Sequence, residues 1–164
     1  MKEILLTQGK VAIVDDEDFE FLNQWKWHVA GGSGSGTGYA RRSIRLFNNK
    51  IISFNMHRVV MNPKNNEQID HVNGNKFDNR KSNLRICTNT QNQHNVPLRK
   101  DNKSGFKGVN WDKKTRKWHT RIRVDGNRFS LGYFNNKEQA ALAYNEAALQ
   151  YHGEFARLNS IEQF

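Results

Sequence analysis

Hydrophobic and polar positions alternate most regularly in the last third of the chain. From Lys117 to Val124, mainly apolar side chains occupy one face and basic side chains the other, which is the pattern of a half-buried strand. Asp125-Gly126 is a typical hairpin turn, and Arg128 to Phe134 predicts the returning strand. Phe106 to Trp111 predicts one further strand. We therefore expect a three-stranded antiparallel sheet.

A helix is predicted from Lys137 to about His152. Asn136 can cap its first turn, with Gln139 three residues on, and Gly153 can end it. Small and aromatic residues form a stripe that would pack on the sheet: Ala140, Tyr144, Ala147, Ala148 and Tyr151. The other face of the sheet, which is rich in Lys and Arg, then remains open to a polyanion.

The first 50 residues predict short strands and one short helix. Glu3 to Thr7 and Lys10 to Val14 resemble strands, and the acidic run from Asp15 to Asp18 is typical of a first helical turn. Apolar residues at three- to four-residue spacing are expected in the core: Phe19, Leu22 and Trp25 or Trp27.

A second hairpin is predicted after a Gly/Ser-rich stretch. Gly31 to Gly38 indicates a flexible loop, either native or engineered. Tyr39 to Phe47 and Ile51 to Phe54 are expected to pair as strands across Asn48-Asn49-Lys50. The basic residues of the first strand either contact phosphate or form a solvated strand face: Arg41, Arg42 and Arg45.

The middle of the chain predicts a strand, a long loop, a strand and a helix. The strands are Gln68 to Val72 and Leu84 to Thr88, and the helix is Asn89 to Asn95. A short helix from His57 to Met61 precedes them. The fold class is therefore α+β, with an N-terminal β-rich segment (1–50), a core (51–98), a linker (99–104) and a sheet-and-helix domain (105–160).

Composition narrows the class of partner. Lys and Arg number 26 against 16 Asp and Glu, a net charge of +10, and chains this basic typically bind nucleic acid. The excess is largest after residue 98. Cys87 is the single cysteine, which excludes an intrachain disulfide and fits a reducing cytoplasm. No apolar run reaches the roughly 20 residues of a membrane span, and the N-terminus predicts no signal peptide.

The candidate chemistry centres on Asp70-His71. Phosphodiester hydrolysis needs a base for water and positive charge for the phosphorane and the leaving oxygen. Adjacent strand residues point to opposite faces, so Asp70 can hold a hard divalent cation while His71 addresses water. Asn92 can add a second oxygen ligand, and Asn83 can accept the imidazole N–H of His71.

Other polar residues nearby have simpler interpretations. Candidate phosphate contacts are His57, Arg58, Arg80 and His94, with a structural role as the alternative for His57 and a solvated position for His94. Cys87 is expected to be a small buried hydrophobe. A zinc site from these histidines and Cys87 is disfavoured, because their spacing matches no common zinc pattern.

The middle segment resembles the HNH endonuclease family, in its homing branch, over about residues 51–95. The likeness rests on five sequence pieces: His57-Arg58, Asp70-His71-Val72-Asn73-Gly74-Asn75, Asp78-Asn79-Arg80, Asn83-Leu84…Cys87-Thr88, and Asn92. It implies a ββα-metal fold with His71 as general base, Asn83 as the residue that orients it, and Asp70 and Asn92 as ligands of one Mg²⁺ or Mn²⁺.

Residues 105–159 resemble the APETALA-two (ethylene-response-factor) DNA-binding domain. The matching pieces include Lys107-Gly108-Val109, Leu131-Gly132-Tyr133-Phe134 and Ala156-Arg157-Leu158-Asn159. The likeness implies that the sheet enters the DNA major groove. Together with the outward strand face, it predicts these DNA contacts: Lys107, Asn110, Lys117, Arg121, Arg123, Arg128 and Ser130. Asp112, Arg121 and Ser130 depart from the plant pattern, so sequence preference does not carry over.

The sequence as a whole predicts a DNA endonuclease of homing type. It would bind double-stranded DNA as a monomer, without a membrane, in the cytoplasm of a phage or bacterial host cell. A non-catalytic DNA-binding regulator with a degenerate nuclease core is the alternative. An RNA-binding or RNA-cleaving protein is disfavoured, because few aromatic residues are expected on the open sheet face.

Overall fold

The computed structural model describes residues 1–31 and 38–161. Most of the Gly31–Gly38 stretch, for which a flexible loop is predicted, therefore lies outside the described residues. The chain forms two compact units, Met1–Asn89 and Thr90–Phe164. Helices and antiparallel sheets are both present, which confirms the predicted α+β class.

The first unit contains three small antiparallel sheets. Its elements are β1 (Lys2–Leu5), β2 (Val11–Val14), α1 (Asp16–Asn23), β3 (His28–Ala30), β4 (Tyr39–Arg45), β5 (Ile51–Asn55), α2 (Met56–Met61), β6 (Gln68–His71) and β7 (Leu84–Cys87). The strands pair as β1–β2, β3–β4–β5 and β6–β7. The sequence pattern anticipated each of these elements except β3, whose three residues are too short to show a period.

One hydrophobic core joins the N-terminal strands to α2. Its buried residues are Ile4, Leu6, Ala12, Val14, Leu22, Trp27, Ala40 and Met56. Of the two tryptophans left open by the sequence, Trp27 is the buried one, and its indole N–H donates to the Leu22 carbonyl at 2.9 Å. Trp25 packs at the edge of this core. The first 50 residues thus share a core with the start of the segment predicted to carry the chemistry.

The second unit is a three-stranded sheet under a long helix. After α3 (Asn89–His94), which begins at the last residue of the first unit, come β8 (Val109–Asp112), β9 (Lys117–Val124), β10 (Asn127–Phe134) and α4 (Lys137–His152). The strand order is β10–β9–β8, all antiparallel. The Asn136 side chain accepts the backbone N–H groups of Glu138 and Gln139, so the predicted cap is confirmed.

Small residues let α4 lie close on the sheet. Ala140, Ala141, Tyr144, Ala147 and Ala148 are buried against β9 and its neighbours. The prediction that Tyr151 packs on the sheet is wrong, because about half of its side chain is exposed. No helix among the described residues is long and apolar enough to span a membrane.

Candidate active site and nucleic-acid interface

Asp70 and His71 are adjacent on β6 and both are buried, at 6% and 5% exposure. β6 pairs with β7, which sets Asp70 opposite Arg85. The Arg85 guanidinium donates to Asp70 Oδ2 from two nitrogens, at 2.6 and 3.0 Å. A buried carboxylate requires such compensation, because burying an unpaired charge is costly. Asp70 is therefore held in one orientation by its cross-strand neighbour.

His71, on the face of β6 opposite to Asp70, lies in a cluster of aromatic rings. The His57 ring is edge-on to His71 with 5.2 Å between centroids, and the Tyr39 ring lies 5.0 Å from His57 and 6.1 Å from His71. His57 is only 7% exposed. This position supports the structural alternative for His57, because a buried ring between two others does not reach a phosphate in solvent.

Burial keeps both histidines neutral near pH 7. It lowers the pKa of His57 to about 3, assisted by the nearby His71, Arg58, Arg41 and Lys76. Burial also lowers the pKa of His71, while interactions with Asn79, Asp70 and Asp78 act in the opposite direction. A neutral imidazole is the form that accepts a proton, so His71 is in the protonation state that a general base needs.

The long loop between β6 and β7 is fixed by asparagines. Asn83 accepts the Asn73 N–H on its side-chain oxygen and donates its amide N–H to the Asp78 carbonyl. Asn83 thus closes the loop that follows His71. The direct contact with the His71 ring that sequence analysis predicted for it stays a prediction.

Asn79 is a site residue that sequence analysis missed. Its side chain is fully buried and interacts with His71, and its amide donates to the Phe77 carbonyl at 3.1 Å. Its backbone N–H donates to the Ile13 carbonyl at 2.8 Å, and Ile13 in turn donates to Phe77. Strand β2 of the N-terminal segment therefore holds Asn79 beside the histidine. The Asp78-Asn79-Arg80 piece of the motif was visible, but its orientation was not.

The remaining residues that were predicted to contact phosphate differ in how their side chains are engaged within the protein. Arg80 is bound to Asp78 through two hydrogen bonds, and this guanidinium lowers the pKa of the Asp78 carboxyl. Arg58 donates to the Glu67 carbonyl at the exposed surface. Lys76, which the sequence did not single out, lies over the Tyr39 ring with its ammonium 4.5 Å from the centroid. Lys76 is thus a cation beside the histidine cluster.

Asn92 and His94 lie on α3 and belong to the second unit. The His94 ring stacks on His152 of α4, with 3.6 Å between centroids and 11° between planes. The Lys107 ammonium donates to the carbonyls of His94 and Val96. The end of α3 is thereby attached to the sheet domain, and the ligand role of Asn92 stays a prediction.

The donor set suits a hard divalent ion better than zinc. Among residues 1–31 and 38–161, no three His, Cys, Asp or Glu side chains come together as a metal cluster. Asp70 offers a fixed carboxylate with a partly buried counter-cation, Arg85. Magnesium typically uses one or two protein carboxylates and completes its shell with water and phosphate. Asp70 therefore fits an ion that the DNA substrate helps to bind.

The open face of the β8–β10 sheet carries most of the predicted DNA contacts. The strand register aligns Arg128 with Arg123, Ser130 with Arg121 and Asn110 with His119. Lys117 lies on the same face of β9. The Tyr133 ring stacks on His119 at 4.3 Å, adding an aromatic pair that was not expected on this face.

Lys107 lies elsewhere. It precedes β8, and contact with DNA would require its ammonium to leave the two carbonyls that it now binds. Burial and the neighbouring Arg157 lower the pKa of Lys107 to about 8. Lys107 thus holds the end of α3 through its ammonium, and its contact with DNA stays a prediction.

Comparison with known proteins gives two family matches. Residues 56–94 match an HNH endonuclease model and residues 104–154 match an AP2 domain model. The chain is 32% identical over 89 residues to Protein 3.8 of Escherichia phage T7, covering 54% of this chain and 73% of that protein. The chain belongs to the HNH endonuclease family.

An uncharacterized HNH endonuclease of Acanthamoeba polyphaga mimivirus extends this likeness. It is 27% identical over 157 residues, covering 94% of this chain and 78% of that relative. The match thus spans both the HNH core and the AP2 domain. No solved structure shows significant similarity to the chain.

Proposed function

We propose that this HNH endonuclease hydrolyses phosphodiester bonds of double-stranded DNA as a homing-type enzyme, with His71 as general base and one Mg²⁺ or Mn²⁺ bound by Asp70 and Asn92. The observation that carries the proposal is the placement of two buried residues side by side on one strand: His71, whose pKa burial lowers, and Asp70, which is ion-paired with Arg85. The phage and mimivirus relatives fit a mobile-element nuclease.

His71 accepts the proton of the attacking water. Its neutral form is maintained by burial, and Asn79 favours the imidazolium that follows proton transfer. The His57 and Tyr39 rings restrict rotation of His71 by packing against it. The chain thus orients the base by ring packing, while burial keeps its pKa below the ordinary value.

Asp70, through a bound divalent ion, and nearby cations stabilise the negative charge of the reacting phosphate. Arg85 keeps the Asp70 carboxylate in place for a divalent ion. When bound, such an ion supplies Lewis-acid stabilisation of the phosphorane and of the leaving 3′-oxygen. Lys76, which lies over the Tyr39 ring, and Arg58, which acts on the pKa of His57, are assigned the neutralisation of phosphate oxygens beside the cut. The products are a 5′-phosphate and a 3′-hydroxyl.

The AP2 domain supplies affinity and register. Its basic sheet face fits the DNA major groove, which accepts a β-ribbon, and Arg can bind guanine through two hydrogen bonds. One HNH site cuts one strand in each binding event, so a monomer is expected to nick. A regulator that binds but does not cut is the alternative that the test must exclude.

Incubation of supercoiled plasmid with the protein and Mg²⁺ or EDTA tests the proposal. We expect nicked circles with Mg²⁺ or Mn²⁺ and none with EDTA. His71→Ala should lower the nicking rate by about 10²- to 10⁴-fold while plasmid binding changes little, because a general base contributes that much. Asp70→Asn should likewise remove metal-dependent nicking.

Two controls make this result specific. His119→Ala changes another histidine, on the AP2 sheet, and should leave the rate of the chemical step near wild type at saturating protein. Binding without any nicking by the wild-type protein would favour the regulator. Equal loss of binding and nicking in His71→Ala would assign His71 a structural role.

A further inference from the structure

The β4–β5 hairpin ends in an exposed apolar tip. Phe47 exposes 110% of its reference surface, and its neighbours Leu46 and Ile51 are also exposed, at 38% and 57%. Scattered exposed hydrophobic residues are common on proteins. Here three of them adjoin at one turn, and none belongs to the core of the first unit.

The tip is an ordered turn. The Leu46 N–H donates to the Lys50 carbonyl at 2.8 Å, the Asn49 N–H donates to the Leu46 carbonyl at 3.0 Å, and the Asn48 side chain accepts the Lys50 N–H. Asn49 adopts a positive φ of 61°, which asparagine tolerates well. The Asn48 side chain and the Asn49 backbone thus stabilise the turn, which does not depend on the Phe47 side chain.

The strands below the tip are paired through cross-strand contacts. The register sets Ser43 opposite Ser53 and Ile44 opposite Ile52, and the two serine hydroxyls hydrogen-bond at 2.9 Å. The isoleucine pair therefore lies on one face of the hairpin and the serine pair on the other. Such pairing lets the hairpin carry Phe47 at its end as a stiff projection.

The charged residues around Phe47 indicate what the hairpin tip binds. Residues 39–55 contain four basic side chains and no acidic one. Arg41 and Arg42 are engaged with Asn55 and with the Trp25 ring, respectively. Arg45 and Lys50 flank the tip and are exposed. An aromatic tip between two cations is complementary to a base step between two phosphates.

The root of the hairpin lies at the proposed catalytic cluster. Tyr39, the first residue of β4, packs against His57 and near His71. Phe47 follows Tyr39 by eight positions, or about 26 Å of extended strand. That length corresponds to about eight base pairs of duplex, since each base pair advances the axis by about 3.4 Å.

We propose that this hairpin is a DNA-deforming wedge, in which Phe47 inserts between adjacent base pairs while Arg45 and Lys50 bind the flanking phosphates. Apolar side chains that enter a base step unstack it and kink the duplex. The kink would lie within about eight base pairs of the cut. The inference rests on the proposed function in taking double-stranded DNA as the substrate.

Unwinding of a closed circular plasmid tests the wedge without knowledge of the target site. The full-length protein is bound to relaxed plasmid in EDTA, the plasmid is resealed with a metal-independent topoisomerase, and the linking number is read on a gel. Insertion between base pairs unwinds DNA. We expect Phe47→Ala to lose most of the unwinding per bound protein and Phe47→Trp to retain it.

Matched variants separate the wedge from other effects. Leu149→Ala removes an exposed apolar side chain from α4, away from the hairpin, and should unwind like wild type. Arg45→Ala should weaken plasmid binding and leave unwinding per bound molecule largely intact. Circular dichroism verifies folding of each variant, and the full exposure of Phe47 predicts no loss of stability.

The unwinding and nicking results test the wedge separately from the proposed nuclease activity. Equal unwinding by wild type and Phe47→Ala, or no unwinding by either, overturns the wedge. A dimer of wild-type protein without DNA that Phe47→Ala dissociates, with unwinding unchanged, also overturns it and assigns the tip to self-association. Wild-type protein that nicks with Mg²⁺ but does not unwind refutes the wedge alone. Protein that unwinds but does not nick supports the wedge and refutes the nuclease.

Discussion

Two buried histidines lie in contact at the candidate active site, and burial determines their charge. A protonated His57 would lose hydration and face the His71 ring as well as Arg41, Arg58 and Lys76. A protonated His71 would also lose hydration and face Lys76. The main influences on His57 all disfavour its cation, whereas Asp70 and Asp78 favour the cation of His71. The pair thus divides into one ring that stays neutral and one that can accept a proton.

This arrangement predicts an acid sensitivity of folding. The pKa of His57 is about 3 when folded and 6.5 in its ordinary state. Between these values the unfolded chain binds a proton that the folded chain does not, so the free energy of unfolding falls as pH falls from 6.5 toward 3. Above pH 6.5 His57 contributes almost nothing to the pH dependence of the free energy of unfolding, because it is neutral in both states.

We expect His57 to lower the free energy of unfolding by about 2 kcal/mol between pH 7 and pH 5. His57→Phe, which keeps an aromatic ring, should lose less stability over that interval than wild type. Urea unfolding at the two pH values measures the difference. His119→Phe, on the sheet of the other unit, is the control and should behave like wild type; the same pH response in both variants would contradict the assignment.

At the scale of the element, one glycine lets α4 approach the sheet. Gly108 has a φ of +79°, and a Cβ added there would lie 2.1 Å from Tyr144 Cδ2 and 2.8 Å from the Arg121 carbonyl oxygen. Real Cβ atoms do not make such contacts. The short distance between β8, β9 and α4 therefore requires glycine at this position.

Gly108→Ala is expected to destabilise the AP2 domain. Backbone strain costs about 1 kcal/mol and overpacking about 1–3 kcal/mol more. The melting temperature of the domain should fall by about 10 °C or more. Gly105→Ala is a matched control, because Gly105 has the same φ of +79° but no atom near the added Cβ. Equal losses in the two variants would show that strain alone matters.

The elements themselves were largely readable from local sequence. The predicted β9, β10 and α4 agree with the structure to within a residue, because alternation, the Asp125-Gly126 turn and the Asn136 cap are local signals. The first strand was placed too early, at Phe106. The chain from Ser104 to Gly108 instead forms turns, in which the Ser104 hydroxyl binds the carbonyls of Phe106 and Val109.

At the scale of the whole molecule, positive charge and candidate chemistry occupy different parts of the chain. Residues 99–164 carry 13 basic and seven acidic side chains, whereas the Asp70-His71 pair lies in the first unit. Affinity for DNA should therefore depend on the AP2 sheet, while the rate of hydrolysis depends on β6. Substitutions in the two units should affect different steps.

Arg123→Ala tests this division. It should weaken binding across DNA sequences if it removes one phosphate contact, and the slope of log K against log salt should decrease in magnitude by about 0.9. The nicking rate at saturating protein should stay near wild type. Titration of duplex DNA at several salt concentrations gives the slope, and Arg99→Ala, which removes an exposed arginine paired with Asp101, is the control. An unchanged slope for Arg123→Ala would place that residue away from phosphate.

The sequence by itself determined most of the elements, the fold class and the family. Alternation, turns and caps act between neighbours in the chain, and the spacing of Asp70, His71, Asn83 and Asn92 identifies the HNH pattern. These features are specified locally, so a pattern of residue types is enough to find them. The roles of the four residues and the DNA contacts of the sheet stay predictions.

Tertiary structure decided which side chains meet. The packing of Tyr39 and His57 near His71, the bracing of Asn79 by Ile13, and the inward position of Lys107 each join residues that are far apart in sequence. Such contacts depend on how strands pair and on which faces are buried, and no local pattern encodes either. The lowered pKa of His71 follows mainly from that burial, so it too depends on the folded chain.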